Sequence, residues 1–182
     1  GANVPASSVT WNNLKPTSLS ADQSYLSPAL ITETNVASTI RITNIGAWDG
    51  AQNSIFDTYG TPSNGVYPYE VVGSCWKFAR DGNNKIRITG LDDAKYYHFY
   101  VGSCDKFDNR TITTKIGSES KTKTTFNAYG VAGENEFASA FNQEFKNKQS
   151  TGGVIEIELN TVGFYIGFIA SVIIEESNTT KP

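Results

Sequence analysis

Hydrolytic chemistry needs a nucleophile beside a base, or two carboxylates facing one bond, and this chain holds few residues of either kind. Its one histidine, His98, sits inside the run YYHFY. No G-x-S-x-G elbow accompanies it, so a Ser-His-Asp constellation has no exposed serine to build on. A histidine among bulky aromatic residues reads as a strand residue hydrogen-bonded to its neighbours. Acid pairs occur at Asp92-Asp93, Glu156/Glu158 and Glu175-Glu176. The first falls in a tight turn and the others on polar strand faces, which does not define the fixed carboxylate pair of a glycosidase. The expectation is a protein that is not an enzyme.

Binding chemistry is better represented. Segment 44–70 (NIGAWDGAQNSIFDTYGTPSNGVYPYE) sets aromatic rings among Gly, Asn, Asp and Pro. Long irregular loops in compact domains are uncommon and often functional. A sugar presents C–H faces that stack on flat rings, and hydroxyls that hydrogen-bond to Asp, Asn or Arg. Trp48, Asp49, Tyr59, Tyr67 and Tyr69 supply both chemistries. The same rings could instead cap one end of the domain as a minor core. The second candidate is Ser103–Arg110 (SCDKFDNR), where Asp105, Asp108, Asn109 and Arg110 are able to line a groove. Arg110 could equally brace a strand end against an Asp. Trp11 and Trp76 read as packing residues.

Calcium takes about six to eight oxygen ligands. Asp49, Asn53 and Asp57 are spaced as candidate oxygen ligands for a structural calcium, although no EF-hand pattern follows. Cys75 and Cys104 allow one pairing, either a disulfide or two buried thiols, and are too few for a cysteine metal site. Asn109 and Asn178 fit the N-x-S/T sequon.

The elements that must position these residues are strands. Ile40/Ile42, Ile86/Ile88, Ile112/Thr114/Ile116, Thr122/Thr124/Phe126/Ala128 and Ile155/Ile157/Leu159 each alternate with polar residues, the pattern of half-buried strands. Two stretches are bulky on both faces, Tyr96–Val101 and Phe164–Ile174, and read as buried central strands. Asp81–Asn84, Leu91–Ala94, Gly152-Gly153 and Asn160–Gly163 read as turns, the last closing a final hairpin. In Glu134–Asn147, Phe137, Phe141 and Phe145 stand four apart, a spacing compatible with helix or strand; an otherwise all-β chain favours strand or irregular edge.

Composition bounds the rest. The chain has 182 residues, enough for one domain with a real core, placed at residues 11–176 between linker-like tails at 1–10 and 177–182. Charged residues are only 18%, so the polar surface must come from Ser, Thr, Asn and Gly, a mix common outside the cell. Net charge is -3, with no basic stripe to hold nucleic acid. No apolar run approaches the roughly 18 residues of a membrane span. A chain without methionine that opens GANVPASS is expected to be a processed or trimmed fragment, any export signal removed.

Several of these residues carry a resemblance. WNNL at Trp11–Leu14, the Gly/Asp/Asn-rich aromatic loop, Tyr67-Pro68 before the strand of Trp76, ITGLDDAKYYHFYVGS at Ile88–Ser103, Asn109-Arg110-Thr111 and a terminal strand ending in Ile-Glu follow in order. Together they resemble the galactose-binding-like jelly-roll module of exported bacterial proteins, found beside SGNH-type esterases and glycoside hydrolases. The resemblance covers most of residues 11–176. It implies an all-β, antiparallel β-sandwich with jelly-roll topology. It also implies non-catalytic carbohydrate or surface binding, without fixing the ligand as a sugar. The first expectation is an extracellular or cell-surface carbohydrate-binding module whose partner is a glycan or cell-surface polysaccharide. Relatives of this fold also serve as structural spacers. The alternative is a structural or adhesion domain of a surface assembly or phage virion, contacting other domains or protein chains. The chain departs from the family in keeping only SSVT before WNN, so the first strand is expected to be short, missing or supplied by another chain, and an open sheet edge would invite a partner's strand.

Overall fold

A computed structural model describes residues 27, 29–32, 36–46, 48–53, 74–103, 111–124, 142–163, 166–169 and 171–182. The described residues form eleven strands and no helix, so none that is long and apolar enough to cross a membrane. The strands are β1 Arg41–Ile45, β2 Trp48–Asn53, β3 Ser74–Ala79, β4 Asn84–Thr89, β5 Tyr96–Gly102, β6 Thr111–Ile116, β7 Glu119–Thr124, β8 Asn142–Lys148, β9 Val154–Val162, β10 Ile166–Ile169 and β11 Ser171–Ser177.

All pairings between these strands are antiparallel. One layer is a five-stranded sheet in the order β1-β4-β9-β6-β7. Facing it are two three-stranded sheets, β10-β3-β2 and β11-β5-β8. The chain changes sheet after β1, β3, β4, β5, β7, β8, β9 and β10, staying in one sheet only for the β2–β3 and β6–β7 pairs. Such repeated crossing wraps a chain into a jelly-roll sandwich. The fold class expected from the sequence is the one observed.

Alternation explains the five-stranded sheet. Ile42, Ile86, Ile88, Ile112, Ile116, Ile155, Ile157 and Leu159 turn one face inward to a single core, while Lys85, Arg87, Thr113, Lys115, Glu156 and Glu158 occupy the other. Across the core stand Phe78, Tyr97, Phe99, Val101, Phe145 and Ile169. The expected two-sided burial of the YYHFYV run holds: six of the seven residues of β5 are buried.

Four expectations are corrected. Phe164–Ile174 is not one central strand, because the segment divides into β10, paired with β3, and β11, paired with β5 in another sheet. There is no final hairpin either: β9 runs through Asn160, Thr161 and Val162 to Gly163 (φ 80°), and β10 then joins the opposite layer. In β7 the inward and outward faces are exchanged. Thr122 and Thr124 are exposed and meet Thr113 and Thr111 hydroxyl to hydroxyl at 3.0 and 3.2 Å, while Lys121 and Lys123 turn toward the interior. An edge strand gains from inward charges, which discourage further pairing. Residues 177–182 do not leave as a tail, since Lys181 pairs with Asn147 through N–H to Oδ1 (2.8 Å) and C=O to Nδ2 (2.9 Å).

The ambiguous segment resolves in part. From Asn142 it is strand β8 with Phe145 fully buried, and residues 134–141 lie outside the described residues. The first sheet edge is not open at Ile40–Ile42: the N–H groups of Leu30 and Ser27 donate to the carbonyls of Ile40 and Ile42 at 2.8 Å. Oγ of Ser27 accepts the Ile42 N–H at 2.8 Å, so the chain covers this stretch of its own edge.

Candidate functional site

The place where β10 becomes β11 organises the facing layer. Ile169 is the last residue of β10 and pairs with Trp76; Ser171 is the first of β11 and pairs with Gly102. Two residues before Trp76, Ser74 pairs with Asn53, which closes the stem of segment 54–73. Gly102 pairs with Asn142, which sets the stems of segments 104–110 and 125–141 side by side. At about 3.3 Å per residue and about 4.8 Å between strands, all three stems converge within a few residues of the junction. Both aromatic or polar loops singled out in the sequence therefore spring from one line across the sandwich.

The base beneath the first loop is rigid and aromatic. Trp48 is 1% exposed, and its Nε1–H donates to the Ile45 carbonyl at 2.8 Å. Its ring meets Trp76 edge-on at 5.5 Å between centroids and Phe78 at 6.0 Å. Trp48 is thus corrected from a loop ring facing ligand to a β2 residue with no exposed face, because its bulk fills the core under the β2–β3 pair. Trp76 packs as expected.

Asp49 and Asn53 lie on β2, Asn53 at its end, and Cys75 on β3 beside the stem. Tyr59, Tyr67, Tyr69, Asp57, Cys104, Asp105, Asp108, Asn109, Arg110 and Trp11 lie outside the described residues. Among the described residues no group of three or more His, Cys, Asp or Glu could hold a metal ion.

Around the junction, Oγ of Ser103, Oγ of Ser171 and Oε1 of Gln143 are buried with no hydrogen-bond partner among the described residues. The Gln143 amide is fixed from its other end, where Nε2 donates to the carbonyls of Ile112 (3.1 Å) and Lys121 (3.2 Å) across the layers. Buried polar atoms are ordinarily satisfied, by water if not by protein. Two hydroxyls and an amide oxygen can donate and accept hydrogen bonds here. Sequence reasoning missed them; the one local sign was that Gly167 and Ser171 interrupt the apolar run.

The acids that could have served hydrolysis are committed elsewhere. Asp93 accepts the N–H groups of Gly152 (2.9 Å) and Gly153 (2.8 Å) and a short bond from Ser150 Oγ. The Ser150 bond, then that of Gly153, holds its pKa below the usual carboxylate value. Glu156 takes Lys85 at 2.7 Å and Arg87 at 2.6 Å, which lowers its pKa in turn. Glu158 meets Lys115 at 3.2 Å, Glu175 meets Lys181 at 2.5 Å, and Glu176 meets Lys95 at 3.3 Å. His98 is fully buried, and burial holds its pKa below the ordinary imidazole value.

No family model matches this chain, and no curated protein matches it in sequence. Among solved structures it is similar to TmCBM61 in complex with β-1,4-galactotriose, a carbohydrate-binding module. The TM-score is 0.40 at 16% identity, over 74% of this chain and 88% of that one.

Proposed function

We propose that this chain is a non-catalytic, extracellular glycan-binding module whose ligand is contacted by side chains of the 54–73 and 104–110 loops. The observation that carries this reading is the convergence of their stems on the β10–β11 junction. Tyr59, Tyr67 and Tyr69 then belong to a loop rooted on the buried Trp48 and Phe78 and the partly buried Trp76, with Asp105, Asn109 and Arg110 in a loop rooted beside it. Rings stack on the sugar's C–H faces, and the acid, amide and guanidinium groups take its hydroxyls. Such sites bind weakly alone and gain from linkage to an enzyme or from repetition. Segment 54–73 would also house a calcium ion if one is present, with Asp57 the acid of the original set within it.

A protein-contact role, as a structural or adhesion domain, drew its motive from an open first edge. Ser27 and Leu30 cover that edge at Ile40–Ile42, so no observation now favours it over glycan binding. The test is a glycan array followed by tryptophan-fluorescence titration of each hit. Saturable binding of a neutral oligosaccharide is expected. No binding, together with a molar mass that climbs with concentration in light scattering, would instead establish the protein-contact role.

A further inference from the structure

β8 carries one residue more than β5 can match. Tyr97 pairs with Lys148 and Phe99 with Phe145, so His98 alone stands opposite both Lys146 and Asn147. This is a β-bulge, a feature that leaves one residue out of the ladder and re-aims its side chain. Asn147 adopts φ 54°, the left-handed region that Asn tolerates better than most residues. Its N–H donates to Nδ1 of His98 at 3.1 Å. Its carboxamide imitates a strand edge, bonding both the N–H and the C=O of Lys181. Nζ of Lys181 reaches both oxygens of Glu175 at 2.5 Å, and Nζ of Lys146 donates to the Pro182 carbonyl at 2.8 Å. A chain of bonds thus runs from a buried imidazole to residues 178–182.

We propose that His98 is a proton-operated latch: while neutral it holds segment 178–182 against β8, and on taking a proton it lets that segment go. A ring that accepts at Nδ1 carries its proton on Nε2, so a second proton has only Nδ1 to bind. There it would face the Asn147 N–H, donor against donor, and the bulge would lose the acceptor that fixes its left-handed turn. The carboxamide aimed at Lys181 loses its footing with it.

The charged and titratable groups around the ring come from three elements and from its own strand. Lys181 of the closing segment and Lys146 of β8 oppose the imidazolium; Glu175 of β11 and Glu144 of β8 favour it; Tyr100 on β5 directs its hydroxyl to Glu175 at 3.4 Å. Burial, the largest influence, opposes the charge. The folded-state pKa is therefore below the unfolded value of about 6.5. The stabilisation is complete above that value and is lost as pH falls through the folded-state pKa. The latch does not depend on the glycan-binding reading and stands or falls separately.

His98 is the only histidine, so its titration can be followed without ambiguity in the intact chain. The experiment reads the Lys181 amide by NMR hydrogen exchange from pH 7.5 to 5, corrected for intrinsic rate, beside the imidazole shifts. Its protection should fall about five- to tenfold, the worth of one lost hydrogen bond, with the same midpoint as His98 and below pH 6.5. His98→Gln, which can accept but cannot be protonated in this range, should abolish the step. Asn147→Gly keeps the turn without the carboxamide and should release the segment at every pH. Protection that stays flat through the imidazole titration overturns the latch. So does a step that survives in His98→Gln, or, if that variant does not fold, a wild-type midpoint more than about one pH unit from that of His98.

Discussion

Asp93 shows how much one exposed carboxylate can organise. It stitches the turn between β4 and β5 to the turn between β8 and β9 through Ser150, Gly152 and Gly153, and Leu91 N–H adds a bond to the Gly153 carbonyl at 3.1 Å. Its folded-state pKa is lowered, so its stabilisation is present above the unfolded value of about 3.9 and is lost as pH falls through the folded value. Asp93→Ala should therefore lower Tm at pH 7 and flatten the fall of Tm below about pH 4, as calorimetry across pH 2.5–7 would read. Trp48 teaches the opposite lesson about function. Its burial predicts that Trp48→Ala costs about 3–5 kcal/mol in denaturant unfolding. Binding lost in that variant would report a damaged scaffold and not a missing contact.

At the scale of strands, residues 166–177 join two sheets, and the joint tolerates little bulk. A Cβ on Gly167 would lie 2.3 Å from Cζ of Phe78, whose ring is fully buried. Gly167→Val is expected to cost about 1–3 kcal/mol by overpacking, measured as a shift of the denaturant midpoint with unchanged slope. This element also marks where sequence legibility ended. Period-two contrast of Ile against Lys, Arg or Glu made β4 and β9 readable, faces included. The Thr/Lys alternation of β7 has no such contrast, so its pattern does not reveal which face turns inward; a lysine can lie over apolar surface, and Nζ of Lys121 stands 5.2 Å from the Phe145 ring centroid. In Phe164–Ile174 the two-sided apolarity was real, but a change of sheet partner leaves the hydrophobic period intact. The candidate site was legible as loop chemistry and not as geometry. Nothing local announces that Asn53, Ser74, Gly102 and Asn142 end their strands at one junction, because that convergence is a property of long-range register.

For the molecule as a whole, one layer is a continuous sheet whose outer face is occupied by ion pairs and threonine hydroxyls, while the other breaks where three segments leave it. The sandwich closes on one side by side chains, with Gln143 of β8 reaching β6 and β7 and Lys148 meeting Glu119 at 2.5 Å. A scaffold fixed in this way can present loops without reorganising, which limits the entropic cost of ligand capture. It follows that loop substitutions should separate from stability: Tyr67→Ala and Tyr69→Ala should leave Tm within the small range of surface changes while affecting ligand capture. Glycan capture by these loops is read by isothermal titration of the best array hit into the wild type and these two variants. Saturable binding by the wild type is expected, with at least about tenfold weaker binding by one of the variants at unchanged Tm. No saturable binding of any glycan at about 1 mM, or equal affinity in all three proteins, would contradict it.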